Sequence, residues 1–467
     1  MINNNNNVNF WKQDENGKIQ ILNTKLYKFL ESKGFAMAKA SDKDQILVRM
    51  VNNMMSEANE AHVDHTIRDY LLENDQLDVY EKYARSTGSY VNRRSFNFLK
   101  LIELVNDRDK TDNSYFYYQN CFCKVTKDEI DIHPYEHLQW PIWENRLNMR
   151  VFEPPTDDQM GQFEKFCNNI TGKSEERFLA LKTILGYLLH RNKEVSETKA
   201  IILYDENMGQ NNQAHGGTGK SLLGRALSKC RVVEIFDGKE NKLGSWFRNQ
   251  RIDITTDILV YDDLDRNVSL ERFYAMITSG IEVERKRQQA FYIDPENAPK
   301  IMISSNYPVN GPGGSSDERR RHEFELSNYY SAHYTPEMEF GNRFFGNDWS
   351  ESEWNKFFQF MMNCAKEYLQ HGLIEVKPIN LGIAKLKDKT NEKFVEFAET
   401  FIEFGEWQDK REFEATFQEF YPELAPIAPH RMKKWLDSFA ASKRATLETK
   451  PTGGNYLFRI RKEVQDA

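Results

Sequence analysis

A glycine-rich stretch that ends in lysine and serine is the part of the 467-residue chain whose residue types most directly indicate chemistry. It reads QNNQAHGGTGKS at residues 210–221 and follows the apolar run IILY. In a strand–loop–helix context, glycines let successive backbone N–H groups face a phosphate, the lysine contacts the β and γ phosphates, and the hydroxyl holds Mg²⁺. These parts are supplied by Gly216, Gly217, Gly219, Lys220 and Ser221. The pattern therefore predicts a nucleotide-binding loop, although Ala214 stands where its first glycine is usual; the alternative is a glycine-rich turn before a helix.

Two adjacent carboxylates follow a second apolar run, ILVY at residues 258–261. A Mg²⁺ ion bound to ATP needs a carboxylate at the end of the strand beside the phosphate loop, and an attacking water needs a second acceptor. We therefore expect Asp262 to bind the metal and Asp263 to activate water. An acidic turn after a strand is the alternative, but the position of the pair downstream of the loop favours the functional interpretation.

Three polar groups further along could complete such a site. Asn306 ends a predicted strand over Lys300–Ser304 and could contact the γ-phosphate. Before that strand, GIEVERKRQQAFYI at residues 280–293 predicts a hairpin with a basic turn. After it, a GPGGSS loop precedes three consecutive arginines at residues 319–321. Three arginines beside acids often form a solvated surface, but arginine also neutralises phosphoryl-transfer charge from a neighbouring subunit.

In this order, GGTGKS, ILVYDD, GIEVERK, APKIMISSN and the arginines resemble the motifs of superfamily 3 helicases, the hexameric AAA+ class of small DNA viruses, phages and mobile elements. The chain is similar to the helicase half of phage and poxvirus-type primase-helicases, and the resemblance covers residues 174–331. It implies ATP and Mg²⁺ as cofactors, single-stranded or forked DNA as substrate, a homo-hexamer, and a separate primase or other replication proteins as further partners.

The resemblance also implies a role for each motif residue. The nucleotide-binding residues are Gly216, Gly217, Thr218, Gly219, Lys220, Ser221 and Leu222. The metal ligands are Ser221 and Asp262, and the catalytic residues are Asp263, Asn306 and Arg320. Arg320 would act on a neighbouring subunit, with Arg319 and Arg321 as alternatives. DNA contact is assigned to Arg285, Lys286 and Arg287.

Composition limits the classes of function. The formal net charge is −8, so attraction to nucleic acid must come from local patches. The five cysteines have no paired CxxC spacing, which indicates reduced intracellular thiols. The sequence has no apolar stretch of membrane-spanning length and no leader at Met1, so we expect no membrane partner. The resemblance places the protein in the cytoplasm of a bacterial host, encoded by a phage or mobile element.

The elements around these motifs predict an α/β chain of several domains. A disordered Asn-rich tail (1–9) precedes an N-terminal α+β domain (10–155). This domain is expected to be mainly helical, with helical patterning over residues 51–72 and 96–105. An AAA+ core with a central parallel sheet (160–345), a helical extension and linker (346–388, the linker over 378–388) and a winged-helix-like domain (389–467) follow. In that last domain, residues 430–462 hold nine Lys and Arg against two acids, a net charge of +7 that favours DNA.

These observations predict an ATP-dependent DNA helicase that moves 3′ to 5′ along single-stranded DNA in the replication of a phage or mobile element. The alternative is a DNA-binding initiator or defence switch that hydrolyses ATP without unwinding. The hairpin between the two motor motifs favours the helicase.

Overall fold

The computed structural model describes residues 9–39, 45–104, 108–208, 218–239, 249–285, 290–453 and 455–462. The N-terminal region combines short strands with short helices. Its strands are β1 (Trp11–Gln13), β2 (Ile19–Ile21), β3 (Phe35–Lys39), β4 (Gln45–Val51), β5 (Met54–Glu57), β6 (Leu101–Glu103), β7 (Asn113–Tyr118), β8 (Phe122–Thr126), β9 (Ile130–His133), β10 (Ile142–Trp143) and β11 (Leu147–Asn148). Its helices are α1 (Asn23–Ser32), α2 (Glu60–Glu73), α3 (Leu77–Ala84), α4 (Thr87–Tyr90) and α5 (Arg93–Phe96).

The expectation of a mainly helical N-terminal domain is wrong. The strands form a five-stranded sheet in the order β10-β5-β4-β3-β6 and a four-stranded sheet in the order β11-β7-β8-β9. Helix α2 confirms the helical prediction for the later part of residues 51–72, but β5 lies in the first part of that window and β6 lies inside the window 96–105. Apolar residues in such short segments fit both the helical and the strand period, so pairing with β4 and β3 decides the outcome.

The central region is built around one parallel sheet. Its strands are β12 (Ala200–Asp205), β13 (Val233–Asp237), β14 (Ile258–Asp262), β15 (Ile281–Val283), β16 (Phe291–Ile293), β17 (Lys300–Ser304) and β18 (Arg321–Leu326). Its helices are α6 (Gln162–Ile170), α7 (Glu175–Leu189), α8 (Lys220–Leu227), α9 (Tyr274–Thr278), α10 (Ser315–Glu318), α11 (Pro336–Phe340) and α12 (Glu351–His371). The sheet order is β13-β14-β17-β12-β18 with every pair parallel, and β15 pairs with β16 as a separate antiparallel hairpin.

Burial explains why the three inner strands read as continuous apolar runs. Strands β12, β14 and β17 are covered on both faces, so their side chains are buried almost without alternation, as parallel sheets require. One face packs against α7, α8 and α12 in a core that also includes Phe116 and Val125 of the N-terminal sheet. The other face packs against α9 and the β15–β16 hairpin. The predicted strands of the central sheet are thus confirmed, and the chain is a mixed α/β protein.

The C-terminal region consists of helices and a long hairpin. Its elements are α13 (Leu381–Lys389), α14 (Glu392–Phe401), β19 (Gln408–Asp409), α15 (Lys410–Phe420), α16 (Pro429–Ser442), β20 (Ala445–Thr452) and β21 (Asn455–Lys462). The expected linker over residues 378–388 is wrong for most of its length, because α13 occupies it. Leu381 of α13 is buried in the central core and Leu386 in the C-terminal core, so this helix connects the two cores.

Candidate functional site at the carboxyl edge of the sheet

The carboxyl ends of three neighbouring strands and the first turn of α8 meet at one edge of the central sheet. Strand β12 ends in Asp205, β14 ends in Asp262, and Asn306 follows β17. Helix α8 begins at Lys220, directly after the phosphate-loop glycines. Because parallel strands present their carboxyl ends together, residues that are far apart in the sequence become neighbours here.

Lys220 is held between two oxygen acceptors. Its ammonium donates to the Asp205 carboxylate and to Asn306 Oδ1, the latter at 2.9 Å. The side chains of Lys220 and Asp205 are 9% and 2% exposed, so the pair is shielded from water. A buried ammonium at the start of a helix is well placed to offset phosphate charge.

Ser221 lies beside the predicted metal-binding carboxylate. Its hydroxyl donates to Asp262 Oδ2 at 2.8 Å, and Ser304 Oγ donates to Asp262 Oδ1 at 2.5 Å. These oxygens are hard donors of the kind that Mg²⁺ prefers, and Mg²⁺ is commonly held by one or two protein oxygens together with substrate phosphates. No cluster of three or more His, Cys, Asp or Glu suited to a metal occurs within the described part of the chain, and a phosphate-bridged Mg²⁺ does not need one. The Ser221–Asp262 pair therefore fits a magnesium ion.

Asp263 has an unusual backbone conformation. Its φ is +56°, in the left-handed region that non-glycine residues rarely adopt, and strain of this kind is concentrated at functional sites. Its N–H donates to Ser304 Oγ at 2.9 Å, which fixes the turn after β14. Its carboxylate accepts from Asn306 Nδ2 at 2.7 Å and forms an ion pair with Lys239. The hydrogen bond and charge of Asp263 raise the pKa of Lys239.

The described end of the predicted phosphate loop is held by a hydrogen bond and by close packing. Thr218 donates its hydroxyl to Asp205, and Gly219 has a φ of +109° that favours glycine. A Cβ at Gly219 would overlap the ring of Phe166. Leu222 follows in the first turn of α8 and packs against the main core. Gly216, Gly217 and Ala214 lie outside the described residues.

Asp205 is the site residue that sequence reasoning missed. It is almost fully buried and binds both Thr218 and Lys220, so it holds the described end of the loop against the start of α8. The sequence contains a signal for it, because the apolar run at residues 201–204 is followed by this carboxylate just as the second run is followed by Asp262. The long polar segment between Asp205 and the glycines gave no indication that the carboxylate contacts the loop.

The three arginines after the glycine-rich loop differ in how strongly neighbouring residues bind their side chains. Arg321 is bound by Asp317 and Glu323, at 2.7 and 3.0 Å. Arg320 donates to Ser316 and its guanidinium lies 4.8 Å from the ring centre of Tyr274. Arg319 is exposed and donates to the Ser315 carbonyl at 3.2 Å.

Within the described residues, none of the three arginines is shown touching the Lys220 site of the same chain. A role for one of them across a subunit boundary therefore stays a prediction. The ion pairs of Arg321 make it the least available of the three, because moving it would break two largely buried ion pairs at once.

The predicted DNA-contacting turn is described only at its edge. Arg285 follows β15 and pairs with Glu57 of the N-terminal sheet at 3.3 Å, while also donating to the Ile252 carbonyl at 3.1 Å. Lys286 and Arg287 lie outside the described residues. The structure thus places Arg285 at the contact with the N-terminal sheet and leaves the tip of the hairpin as a prediction.

Comparison with known proteins gives one family match and a set of distant structural similarities. Residues 212–321 match the model of DUF5906, a family of unknown function. A search of curated proteins finds no match. The apo C-terminal region of NrS-1 in its A form is 13% identical, with 94% of this chain and 99% of that chain covered and a TM-score of 0.42. A JCV helicase with a bound substituted phenyl acetamide is 12% identical, with 45% of this chain and 53% of that chain covered and a TM-score of 0.26.

At these low identities and TM-scores, the structural similarities do not indicate a function for this chain. No helix among the described residues is long and apolar enough to cross a bilayer.

Proposed function

We propose that this chain is an ATP-dependent DNA helicase with an AAA+ core of the superfamily 3 type. One observation carries the proposal: Lys220 and Ser221 at the start of α8 contact Asn306 and Asp262 at the ends of β17 and β14. Lysine, hydroxyl, carboxylate and amide are the groups that ATP hydrolysis requires, and here they belong to one hydrogen-bonded network.

Each group has a distinct task in the proposed reaction. Lys220 binds the β and γ phosphates and offsets the negative charge that develops during phosphoryl transfer. Ser221 and Asp262 hold Mg²⁺, which when bound neutralises phosphate charge. Asp263 accepts the proton of the attacking water, and Asn306 orients this carboxylate through the 2.7 Å hydrogen bond between them.

The carboxylate of Asp263 forms an ion pair with the ammonium of Lys239. This pair must separate before Asp263 can accept a proton from water. The Lys239 side chain is 59% exposed, so water can replace this pair at little cost. We infer that ATP binding separates the two groups and that the pair keeps Asp263 unreactive beforehand.

The C-terminal region supports a DNA substrate. Helices α15 and α16 followed by the β20–β21 hairpin have the order of a winged helix. On α16, Arg431, Lys433 and Lys434 form an exposed basic surface, while Trp435 and Leu436 are buried. Together with the net charge of +7 over residues 430–462, this face is suited to bind a phosphate backbone.

A strand-separation assay tests the helicase proposal against the switch alternative. Forked DNA with a single 3′ or 5′ tail is incubated with the protein, ATP and Mg²⁺, with Lys220→Ala as the inactive control. We expect strand separation from the 3′ tail only. ATP hydrolysis without separation of either substrate would contradict the helicase proposal and favour an ATP-controlled DNA-binding switch.

A further inference from the structure

A cavity of about 370 Å³ lies at the edge of the central sheet opposite the phosphate loop. Most of its wall comes from residues 145–150 of the N-terminal region, residues 228–232 between α8 and β13, and Phe345 with Trp354. Tyr117, Arg191 and Asp257 complete the wall. Volumes in this range are typical of small-molecule sites. None of the residues assigned to ATP hydrolysis lines it.

The walls of this cavity are strongly cationic. The cationic side chains are Arg146, Arg150, Arg191, Lys229 and Arg231, and the wall contains one carboxylate, Asp257. Three of the cations have an acidic partner. Arg146 pairs with Asp257 at 3.1 Å, Arg191 with Asp109 at 2.8 Å, and Arg150 with Glu351 at 2.9 Å.

The other two cations, Lys229 and Arg231, form no ion pair within the described part of the chain. Asp109 and Asp257 also attract Arg231, but each of them is already paired with another arginine of the wall. Arg231 donates only to neutral acceptors: the carbonyls of Leu189 and Cys230, at 2.6 and 2.9 Å, and Ser114 Oγ at 3.1 Å. Lys229 has its ammonium 5.9 Å from the ring centre of Phe345, with no ion-pair partner among the described residues. The cavity therefore carries about two positive charges in excess, and excess charge in a partly buried site favours binding of an anion.

Two further features of the wall suit an anion. The carbonyl oxygens after α8 would repel one, but Asn148 donates to the Lys229 carbonyl at 2.9 Å and Arg231 to that of Cys230. The carbonyl oxygens at the carboxyl end of α8 are therefore bound by donors within the protein, which reduces their repulsion of an anion. Trp354 is 4% exposed, and its indole N–H has no acceptor within the described part of the chain.

We propose that this cavity binds a phosphate-bearing small anion, either free inorganic phosphate species or the phosphate moiety of a nucleotide. Guanidinium and ammonium groups together are the usual partners of phosphate oxygens, and the charge excess matches a dianionic group. The proposal does not depend on ATP hydrolysis at Lys220, because the two sites share no residue.

Calorimetric titration tests the proposal in a chain whose phosphate loop is disabled by Lys220→Ala. Inorganic pyrophosphate and ADP are the probes, and adenosine is the uncharged control. We expect saturable binding of one anion per chain, with adenosine giving no signal. Tighter binding of pyrophosphate would assign the cavity to free phosphate species, and tighter binding of ADP would assign it to nucleotides.

Variants at the rim locate the binding. Arg150→Gln with Lys229→Gln removes two positive charges without breaking a fully buried ion pair, and we expect at least about a tenfold loss of affinity. Met149→Glu, at a side chain that is 71% exposed, places a carboxylate at the mouth and should weaken binding similarly. The matched control is Arg85→Gln with Lys366→Gln, two cations outside the cavity, which should leave affinity unchanged.

Thermal melting verifies that each variant is folded. Absence of saturable anion binding in the Lys220→Ala chain would overturn the proposal, as would affinity that the rim variants leave unchanged. Either result leaves ATP hydrolysis by the unmodified chain untouched, so the two proposals fail independently.

Discussion

Lys220 is shared between two acceptors, Asp205 and Asn306, so under the proposed function the phosphates of ATP would enter a site whose charge is already partly balanced. Such a pair orients the ammonium before substrate arrives, at the cost of competition between Asp205 and the phosphates. Asp205 also binds Thr218, so the same carboxylate orders the loop. Substrate affinity and loop order are therefore linked through one buried side chain.

The loop geometry gives a prediction for Gly219. An alanine there must keep a φ of +109° and fit a Cβ against the ring of Phe166, so either the loop or the ring must move. Strain of this kind costs about 1–3 kcal/mol, and we expect Gly219→Ala to weaken ATP binding about tenfold or more. Equilibrium binding of a fluorescent ATP analogue measures the effect.

Gly382→Ala is the matched control for this substitution. Gly382 lies in α13, where an added Cβ meets no atom within 4 Å. It should bind the analogue like the unmodified chain. Equal affinity of both variants would show that the left-handed turn at Gly219 is not needed for nucleotide binding.

Among the elements, the strands that position the site were predictable from the sequence and the N-terminal sheets were not. Strands β12, β14 and β17 are apolar on both faces and are followed by polar residues, a pattern that is typical of buried strands in a parallel sheet. Strands β5 and β6 have only a few residues each and gain their stability from pairing, β5 with the neighbouring β4 and the distant β10, and β6 with the distant β3. Such pairings leave little trace in local periodicity.

The site likewise contains residues that the sequence predicted and contacts that it did not. Lys220, Ser221, Asp262, Asp263 and Asn306 follow directly from motif spacing, and the structure brings them together. The ion pair between Lys239 and Asp263 could not be predicted, because it depends on how β13 lies beside β14. The helix α13 was missed because its two buried leucines belong to different cores rather than to one helical face.

The junction of α7 with the N-terminal sheet should respond to pH. His190 follows α7, and its Nε2 lies 2.7 Å from the Lys110 carbonyl and 3.1 Å from that of Asn113. Burial, together with the charge of Lys300, lowers the pKa of His190 from 6.5 to about 4, although Asp109 acts in the opposite direction. The folded chain thus favours the neutral ring, and stability is lost as pH falls below 6.5 toward about 4.

His190→Gln keeps a donor for the carbonyls but cannot titrate. We expect the stability advantage of the unmodified chain over this variant to shrink by about 2 kcal/mol between pH 7.5 and pH 5. Urea unfolding at the two pH values, with the exposed His333→Gln as control, measures the difference. An advantage that is the same at both pH values would contradict the buried neutral ring.

For the whole molecule, the proposal requires subunits that complete one another's sites. Arg320 is the predicted residue that acts across the boundary. We expect Arg320→Ala chains and Lys220→Ala chains to be inactive separately and active when mixed. Random assembly of equal amounts gives about one quarter of interfaces with an intact Lys220 site facing an intact Arg320.

Steady-state ATP hydrolysis across a range of mixing ratios measures this complementation. Mixtures no more active than either parent would exclude Arg320 as a residue that acts on the neighbouring site. Arg319, the exposed alternative, would then be tested in the same way.

The network at the carboxyl edge of the sheet is proposed to hydrolyse ATP, and the rate of ATP hydrolysis by Lys220→Ala tests this most directly. The control is Lys199→Ala, which removes an ammonium one residue before β12 that pairs with Glu375 at 3.2 Å. Release of phosphate is measured with Mg²⁺ for the unmodified chain and both variants. We predict hydrolysis by the unmodified chain and by Lys199→Ala, and a loss of at least about a hundredfold in Lys220→Ala. Hydrolysis by Lys220→Ala at the rate of the control would contradict the account.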